Sequence, residues 1–219
     1  MVIAIEGMDG SGKSSVGKRV AEMLDFIYLD KPLKKFFEID DEHFEKVCNK
    51  IYDIDDERIK ALFFGLGNIL AIKNSINKNI ILDRHILSTY FWNGYNQTEE
   101  VFNIINSINI QPSLTIILYS DIEHRLRHIK MRDDNDKDLK VNKKFEFGYD
   151  KMLKYAEKIR LNYIVINGDQ CETHEDMVQL VYSTIKEYLD TEEDKKIEYC
   201  KKQNDKKLIY EIKTGGING

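Results

Sequence analysis

Short apolar runs alternate along this chain with longer stretches in which apolar residues recur every three or four positions. Val2 to Ile5, Phe26 to Leu29, Asn79 to Leu82, Leu114 to Tyr119 and Tyr163 to Ile166 are the short runs, rich in β-branched residues. Such runs suit strands buried on both faces. Between them, helical spacing predicts helices from Lys13 to about Leu24, over 41–52 and 56–76, over 86–95 and 98–108, from Ile122 to Met131, over 145–161, and over 172–189. Asp121 is placed to cap the helix at Ile122. Residues 30–38, with Pro32 and three lysines, are expected to be irregular. Strands that alternate with helices imply βαβ units and an α/β fold built on a mostly parallel sheet. Such sheets bind ligands at the C-terminal ends of their strands.

Two segments depart from this rhythm. Residues 132–144 are dense in charge of both signs and read as a solvated loop. The tail, 191–219, mixes acidic and basic residues, ends in a Gly-rich stub, and holds one short apolar patch, Leu208-Ile209-Tyr210. The expected organisation is therefore a single domain over 1–190 followed by a charged C-terminal extension. No internal repeat occurs.

Composition narrows the class further. Acidic residues exceed basic ones, 38 to 33, so a general nucleic-acid binder is not expected. Apolar residues make up 42% of the chain, enough for a core and too many for a disordered one. The N-terminal apolar run stops at Glu6 and no window offers a membrane span, so no signal peptide and no membrane association are expected. Cys48, Cys171 and Cys200 are odd in number and far apart, which fits a reducing, cytoplasmic setting. The five histidines show no ligand spacing for zinc. Gly65-Leu66-Gly67 lies inside a helix and has no evident role.

The chemistry concentrates in two motifs. Gly7-Met8-Asp9-Gly10-Ser11-Gly12-Lys13-Ser14 fits G-x-x-x-x-G-K-[ST] and sits between a strand and a helix, the context this motif requires. Glycines let successive N–H groups point at one anion, and the helix that follows presents its positive end. Lys13 supplies a flexible cation that can reach the β- and γ-phosphates of a nucleotide, and the Ser14 hydroxyl can hold Mg²⁺. The second motif, Asp83-Arg84-His85, ends the strand Asn79 to Leu82, at the same end of the sheet. Asp83 can hold Mg²⁺ or its waters, and Arg84 can clamp a phosphate in bidentate fashion.

These segments resemble thymidylate kinases. Ile5 to Ser15, with Asp9 inside, is similar to that family's phosphate loop. Leu82 to Thr89 is similar to its DR[YH]xxS[ST] segment. Pro112 to Arg132 parallels its strand, helix and basic lid, and Phe147 to Ala156 its F…Y-x-x-[ML]-A helix. The resemblance covers about residues 1–190 and implies a P-loop kinase fold: a five-stranded parallel sheet in a three-layer sandwich. It implies ATP with Mg²⁺ as donor, a nucleoside 5′-monophosphate such as dTMP as acceptor, and a homodimer. It assigns Gly7, Gly10, Ser11, Gly12, Lys13, Ser14 and Ser15 to the donor phosphates, Asp9 to the acceptor sugar and Arg84 to phosphate. A lid over about 130–146 brings Arg132 to the transferring group, because Gly10 stands where some members keep a phosphate-loop Arg. Arg125 and Arg127 are expected on a solvated basic face.

The acceptor side departs from the family. Asp30-Lys31-Pro32-Leu33-Lys34-Lys35 replaces its RxPGG loop, so Lys31 or Lys34 is left to supply charge. Asn68 stands where the family's Arg reads thymine. Asn93 stands at its Gln, with Trp92 beside it as a stacking surface. The acceptor base is thus left open. A deoxynucleoside kinase and a P-loop module that binds ATP without turnover are the rival readings.

Overall fold

In a computed structural model of the chain, the described residues are 1–75, 77–108, 110–132 and 148–191. Most of the lid expected at 130–146, Phe147, the tail beyond Thr191, and Cys200 with it, therefore lie outside the described residues.

Five strands form one parallel sheet in the order β2-β3-β1-β4-β5. They are β1 (Val2–Gly7), β2 (Ile27–Leu29), β3 (Ile80–Asp83), β4 (Leu114–Tyr119) and β5 (Tyr163–Asn167). β1 lies between β3 and β4, with Ile5 opposite Asp83 on one side and Ile116 on the other. The chain builds first toward β2 and then toward β5, so the crevice at the end of β1 is the switch point of the sheet.

Alternation along each strand feeds two faces. Ile3, Ile5, Ile81, Ile116 and Ile166 pack against α1 (Lys13–Leu24) and the C-terminal α9 (His174–Thr191). On the opposite face, Val2, Ala4, Ile80 and Leu82 pack on Ala71 and Ile72 of α4 (Glu57–Lys73). Ile117 and Val165 pack there beneath α5 (Ile86–Asn93), α6 (Glu99–Ile108) and α8 (Gly148–Lys158). Three layers result, as the apolar runs on both sides of every strand require.

Residues 30–38 correct the expectation of an irregular segment: Pro32–Phe37 is a helix, α2. Proline supplies its first turn with the right φ, Leu33 anchors it in the core, and Glu38 closes it in the left-handed conformation. The other departures are at element ends. α3 is Asp41–Tyr52, capped by the Asp40 carboxylate, which accepts the His43 N–H. α5 stops at Asn93 because Gly94 is extended. α8 stops at Lys158, and Arg160 turns the chain with φ 54°. In α7 (Ile122–Arg132) the Asp121 carbonyl accepts the Arg125 N–H, while its carboxylate accepts the Tyr119 hydroxyl.

The glycines of α4 also acquire a reason. A Cβ on Gly65 would lie 2.2 Å from Ile105 Cδ1, and one on Gly67 would lie 3.2 Å from Leu33 Cγ. The bare backbone lets α4 approach α6 on one side and α2 on the other.

Candidate active site

The phosphate loop runs from β1 into α1. Gly10 has φ +83°, and a Cβ there would lie 2.5 Å from the Arg125 carbonyl oxygen. Only glycine admits both the conformation and this approach of α7. A larger residue at position 10 has no room. The first-turn N–H groups of α1 lack intrahelical partners by the geometry of a helix, and they face the loop's concavity.

Lys13 is buried beneath this loop. Its Nζ donates to the Met8 carbonyl at 3.4 Å and approaches Asp9 Oδ1 at 3.5 Å. Burial, and then the Arg84 charge, push its ammonium down to about 8, against the pull of Asp9 and Asp83. Asp9 also accepts from Arg84 Nη2. Burial alone would raise the Asp9 carboxyl, but Arg84 and Lys13 hold it below its usual value. Arg84 stands at φ 69°, a left-handed conformation unusual for a long side chain, and its side chain is one-third exposed (34%). Its Nη1 donates to Ser88 Oγ at 3.3 Å. Lys13, Asp9 and Arg84, read from two motifs about 75 residues apart, thus meet in one cluster.

Asp83 lies beside them at the end of β3. Its Oδ2 accepts the Tyr28 hydroxyl at 2.6 Å. Its Oδ1 is buried with no hydrogen-bond partner among the described residues. A buried carboxylate oxygen without a partner, with the Ser14 hydroxyl on the phenol that holds the same carboxylate, is the hard-donor chemistry of Mg²⁺, which takes one or two carboxylates and fills its shell with phosphate and water. The residues present fit that ion.

A cleft of about 610 Å³ opens over the loop. Asp9, Gly10, Gly12, Lys13, Ser14, Ser15 and Arg84 form its floor. One wall is the end of α7, with His128, Met131 and Arg132. The other is the segment after β5, with Gly168, Cys171, Thr173 and His174. Arg132 therefore reaches the same cleft as Lys13 and Ser14. Arg127 is exposed as expected, but Arg125 is not: its side chain is 1% exposed. Arg125 Nε donates to the Ser120 carbonyl at 3.0 Å and its guanidinium lies over the Tyr149 ring. A buried guanidinium stabilised by a ring face and a carbonyl belongs to the framework.

The acceptor-side residues are not gathered into this cleft. Lys31 Nζ pairs with Asp41 at 2.5 Å, and Lys34 pairs with the same carboxylate at 3.1 Å. Asn68 is buried and donates to Thr89 Oγ1 at 2.9 Å. Asn93 is buried and donates to the Thr89 carbonyl at 3.1 Å, closing the last turn of α5. Trp92 meets Phe91 edge-on. Tyr52 of α3, whose hydroxyl feels the Arg84 and Asp9 charges, pairs with Phe64 of α4, with ring centroids 5.4 Å apart.

Several functional groups escape sequence reasoning. Glu6 is fully buried, and its carboxylate accepts the N–H groups of His85, Leu87 and Ser88 together with the Ser88 hydroxyl. Burial raises its carboxyl above the ordinary value although the Ser88 bonds, the Arg84 charge and the His85 N–H pull it down. It fixes the entry to α5 and hence Arg84. Tyr149 donates to the Leu118 carbonyl at 2.8 Å and accepts from Met8 N at 3.3 Å and Ser120 N at 3.2 Å, tying the phosphate loop to β4. His128 Nδ1 lies 3.0 Å from the Gly10 carbonyl, and His174 Nε2 lies 2.8 Å from Ser15 Oγ. A charged residue closing an apolar strand was the signal available for Glu6. The histidines carried none.

Comparison with known proteins agrees with this geometry. The thymidylate kinase family model matches residues 5–181. A probable thymidylate kinase of Methanocaldococcus jannaschii is 27% identical over 195 residues, covering 86% of this chain and 95% of that protein. One from Pyrococcus abyssi is 29% identical over 196 residues, covering 82% and 94%. Among solved structures, a deoxyadenosine kinase from M. mycoides superposes with a TM-score of 0.62 at 17% identity, covering 87% of this chain and all (100%) of that one. The thymidylate kinase of Ehrlichia chaffeensis superposes with a TM-score of 0.56 at 22% identity, covering 86% and 98%. These structural likenesses speak to the fold. The family match spans both motifs and every strand of the sheet except the first three residues of β1, and on that ground the chain belongs to the thymidylate kinase family.

Proposed function

We propose that this enzyme transfers the γ-phosphoryl group of ATP to a nucleoside 5′-monophosphate, dTMP or a close relative, giving the diphosphate. The observation that carries the reading is the convergence of Lys13 and Arg84 on Asp9 at the floor of the phosphate-loop cleft. Two cations held beside a phosphate loop suit a reaction in which two phosphates meet. Lys13 neutralises charge on the transferring group, Arg132 approaches it from α7, and Arg84 takes the acceptor phosphate. Ser14 and Asp83 would hold Mg²⁺, which when bound neutralises the phosphate oxygens. Asp9 is left to orient Arg84 and the acceptor sugar.

The carboxylates support a monophosphate acceptor over a nucleoside. A nucleoside hydroxyl needs a base to take its proton, whereas a phosphate oxygen is already an anion. Glu6 is enclosed by donors, and Asp9 is held in its ionised form by two cations. Neither is poised as a base. Apolar side chains of α4 and α6, Ile59, Leu62, Leu66, Ile104 and Ile108, are each about half exposed and form one stripe that supports a homodimer.

The test is ADP release from ATP and Mg²⁺ against all ribo- and deoxyribonucleoside monophosphates and the free nucleosides, with Lys13→Ala as control. Turnover confined to monophosphates and dependent on Lys13 is expected. Turnover on free nucleosides, or none on any acceptor while ATP still binds, overturns the reading.

A further inference from the structure

Asp83 is held from one side only. The Tyr28 hydroxyl occupies its Oδ2, and Oδ1 is buried without a hydrogen-bond partner among the described residues. Tyr28 is itself locked. Its residue pairs with Ile81 in the β2–β3 register, which aims the ring along the sheet face toward Asp83. Its ring edge lies against Gly17 of α1, where a Cβ would stand 3.1 Å from Cε2. The Lys18 ammonium lies 5.7 Å from the ring centroid, and the Ser14 hydroxyl borders the same phenol. A phenol is protonated at neutral pH, and its hydroxyl donates to Asp83.

We infer that Tyr28 is a positioning residue that commits Asp83 to one-oxygen ligation of a divalent cation and thereby selects magnesium over calcium at the nucleotide site. The inference rests on the reading above, in which Ser14 and Asp83 face a metal–nucleotide. Its physical basis is the difference between the two ions. Mg²⁺ demands a compact octahedron of about six oxygens and accepts a carboxylate through one of them. Ca²⁺ takes up to about eight, and a carboxylate that grips it with both oxygens serves it well. With Oδ2 bonded to a held phenol, a two-oxygen grip has to turn the carboxylate against that hydrogen bond, which opposes it. Without the phenol, Asp83 is able to turn and offer both.

The experiment uses the full chain with ADP and Mn²⁺ as the probe, read by electron paramagnetic resonance. Mg²⁺ and Ca²⁺ are titrated separately to displace the ion, in wild type and in Tyr28→Phe. The wild type is expected to favour Mg²⁺. The variant's displacement ratio is expected to move toward Ca²⁺ by about tenfold, the lower end of what one hydrogen bond to a charged group contributes. A merely structural role for Tyr28 lowers the melting temperature without moving the ratio. A ratio within twofold of wild type, with ADP binding intact, overturns the inference and leaves the kinase reading standing. If the variant does not melt cooperatively, the wild type decides: displacement by Ca²⁺ as readily as by Mg²⁺ overturns the inference. Absence of ADP-dependent Mn²⁺ binding in the wild type overturns the metal site beneath it, and the inference with it.

Discussion

Replacing Glu6 by alanine removes one acceptor shared by three backbone N–H groups, those of His85, Leu87 and Ser88, and by the Ser88 hydroxyl. All are buried, so water cannot take over the bonds. A hydrogen bond to a charged group contributes about 1.5–3 kcal/mol, and a stranded buried donor costs about 1–3 kcal/mol. Bonds that share one carboxylate do not add, so the expected loss is about 3–5 kcal/mol, a large share of the ~5–15 kcal/mol of a typical domain. Glu6→Gln separates the cap from the charge. Oε1 takes all three N–H groups in the wild type, whereas Oε2 takes only Ser88, so the amide retains most of the cap and costs about 1–2 kcal/mol. The pH dependence has a definite sign. Burial raises the folded-state Glu6 carboxyl above its ordinary 4.5, so above that pH the folded state holds the proton longer than the unfolded state. Glu6 therefore lowers stability as pH rises through this window, and the cost of Glu6→Gln shrinks from acid toward neutral pH. Urea unfolding of the three proteins at several pH values measures all of this. An alanine variant within about 1 kcal/mol of wild type, or a glutamine variant as costly as alanine, would refute the capping argument.

Two further outcomes follow from the cluster around the phosphate loop. Lys13 titrates near 8 in the free enzyme, so kcat/KM for ATP is expected to fall as pH rises through that value; Lys13→Ala is expected to lose about 10²–10³-fold in kcat at pH 7, and a flat pH–rate profile counts against the charge role. Because that value lies below the ordinary 10.5, the unfolded chain holds more protons between the two, and Lys13 adds stability as pH rises from about 8 to 10.5. Tyr149→Phe strands the N–H groups of Met8 and Ser120 and is expected to cost about 2 kcal/mol and to raise KM for ATP more than it lowers kcat. Unchanged urea midpoints and KM would show that the loop is held by other contacts.

Local signals make the frame legible in the sequence. Five β-branched runs, each bounded by a helical period, admit little besides a parallel α/β sheet, because residues on both faces of every strand must be covered. The phosphate loop is legible for the same local reason: its glycines, lysine and serine act within eight consecutive residues, and the strand and helix that hold them are their immediate neighbours. Asp83 and Arg84 are legible because a parallel sheet sends the ends of β1 and β3 to one edge. α2 was missed because its three lysines and Pro32 look like a loop until Leu33 finds the core, and proline in a first turn is no obstacle.

What only the tertiary structure decided concerns partners distant in sequence. Nothing local distinguishes Arg125 from Arg127 on α7, yet one is buried over Tyr149 and the other is solvated. Asn68 and Asn93 align with base-reading positions, yet both spend their amides on Thr89. Glu6 reads as the end of an apolar run and proves to hold the entry to α5. Tyr28 reads only as part of the run Phe26 to Leu29 and proves to hold Asp83. In each case the side chain's role is set by which buried donor or acceptor lies opposite once the layers close. A buried polar group must be satisfied by whatever the fold brings to it, and sequence spacing alone does not contain that meeting.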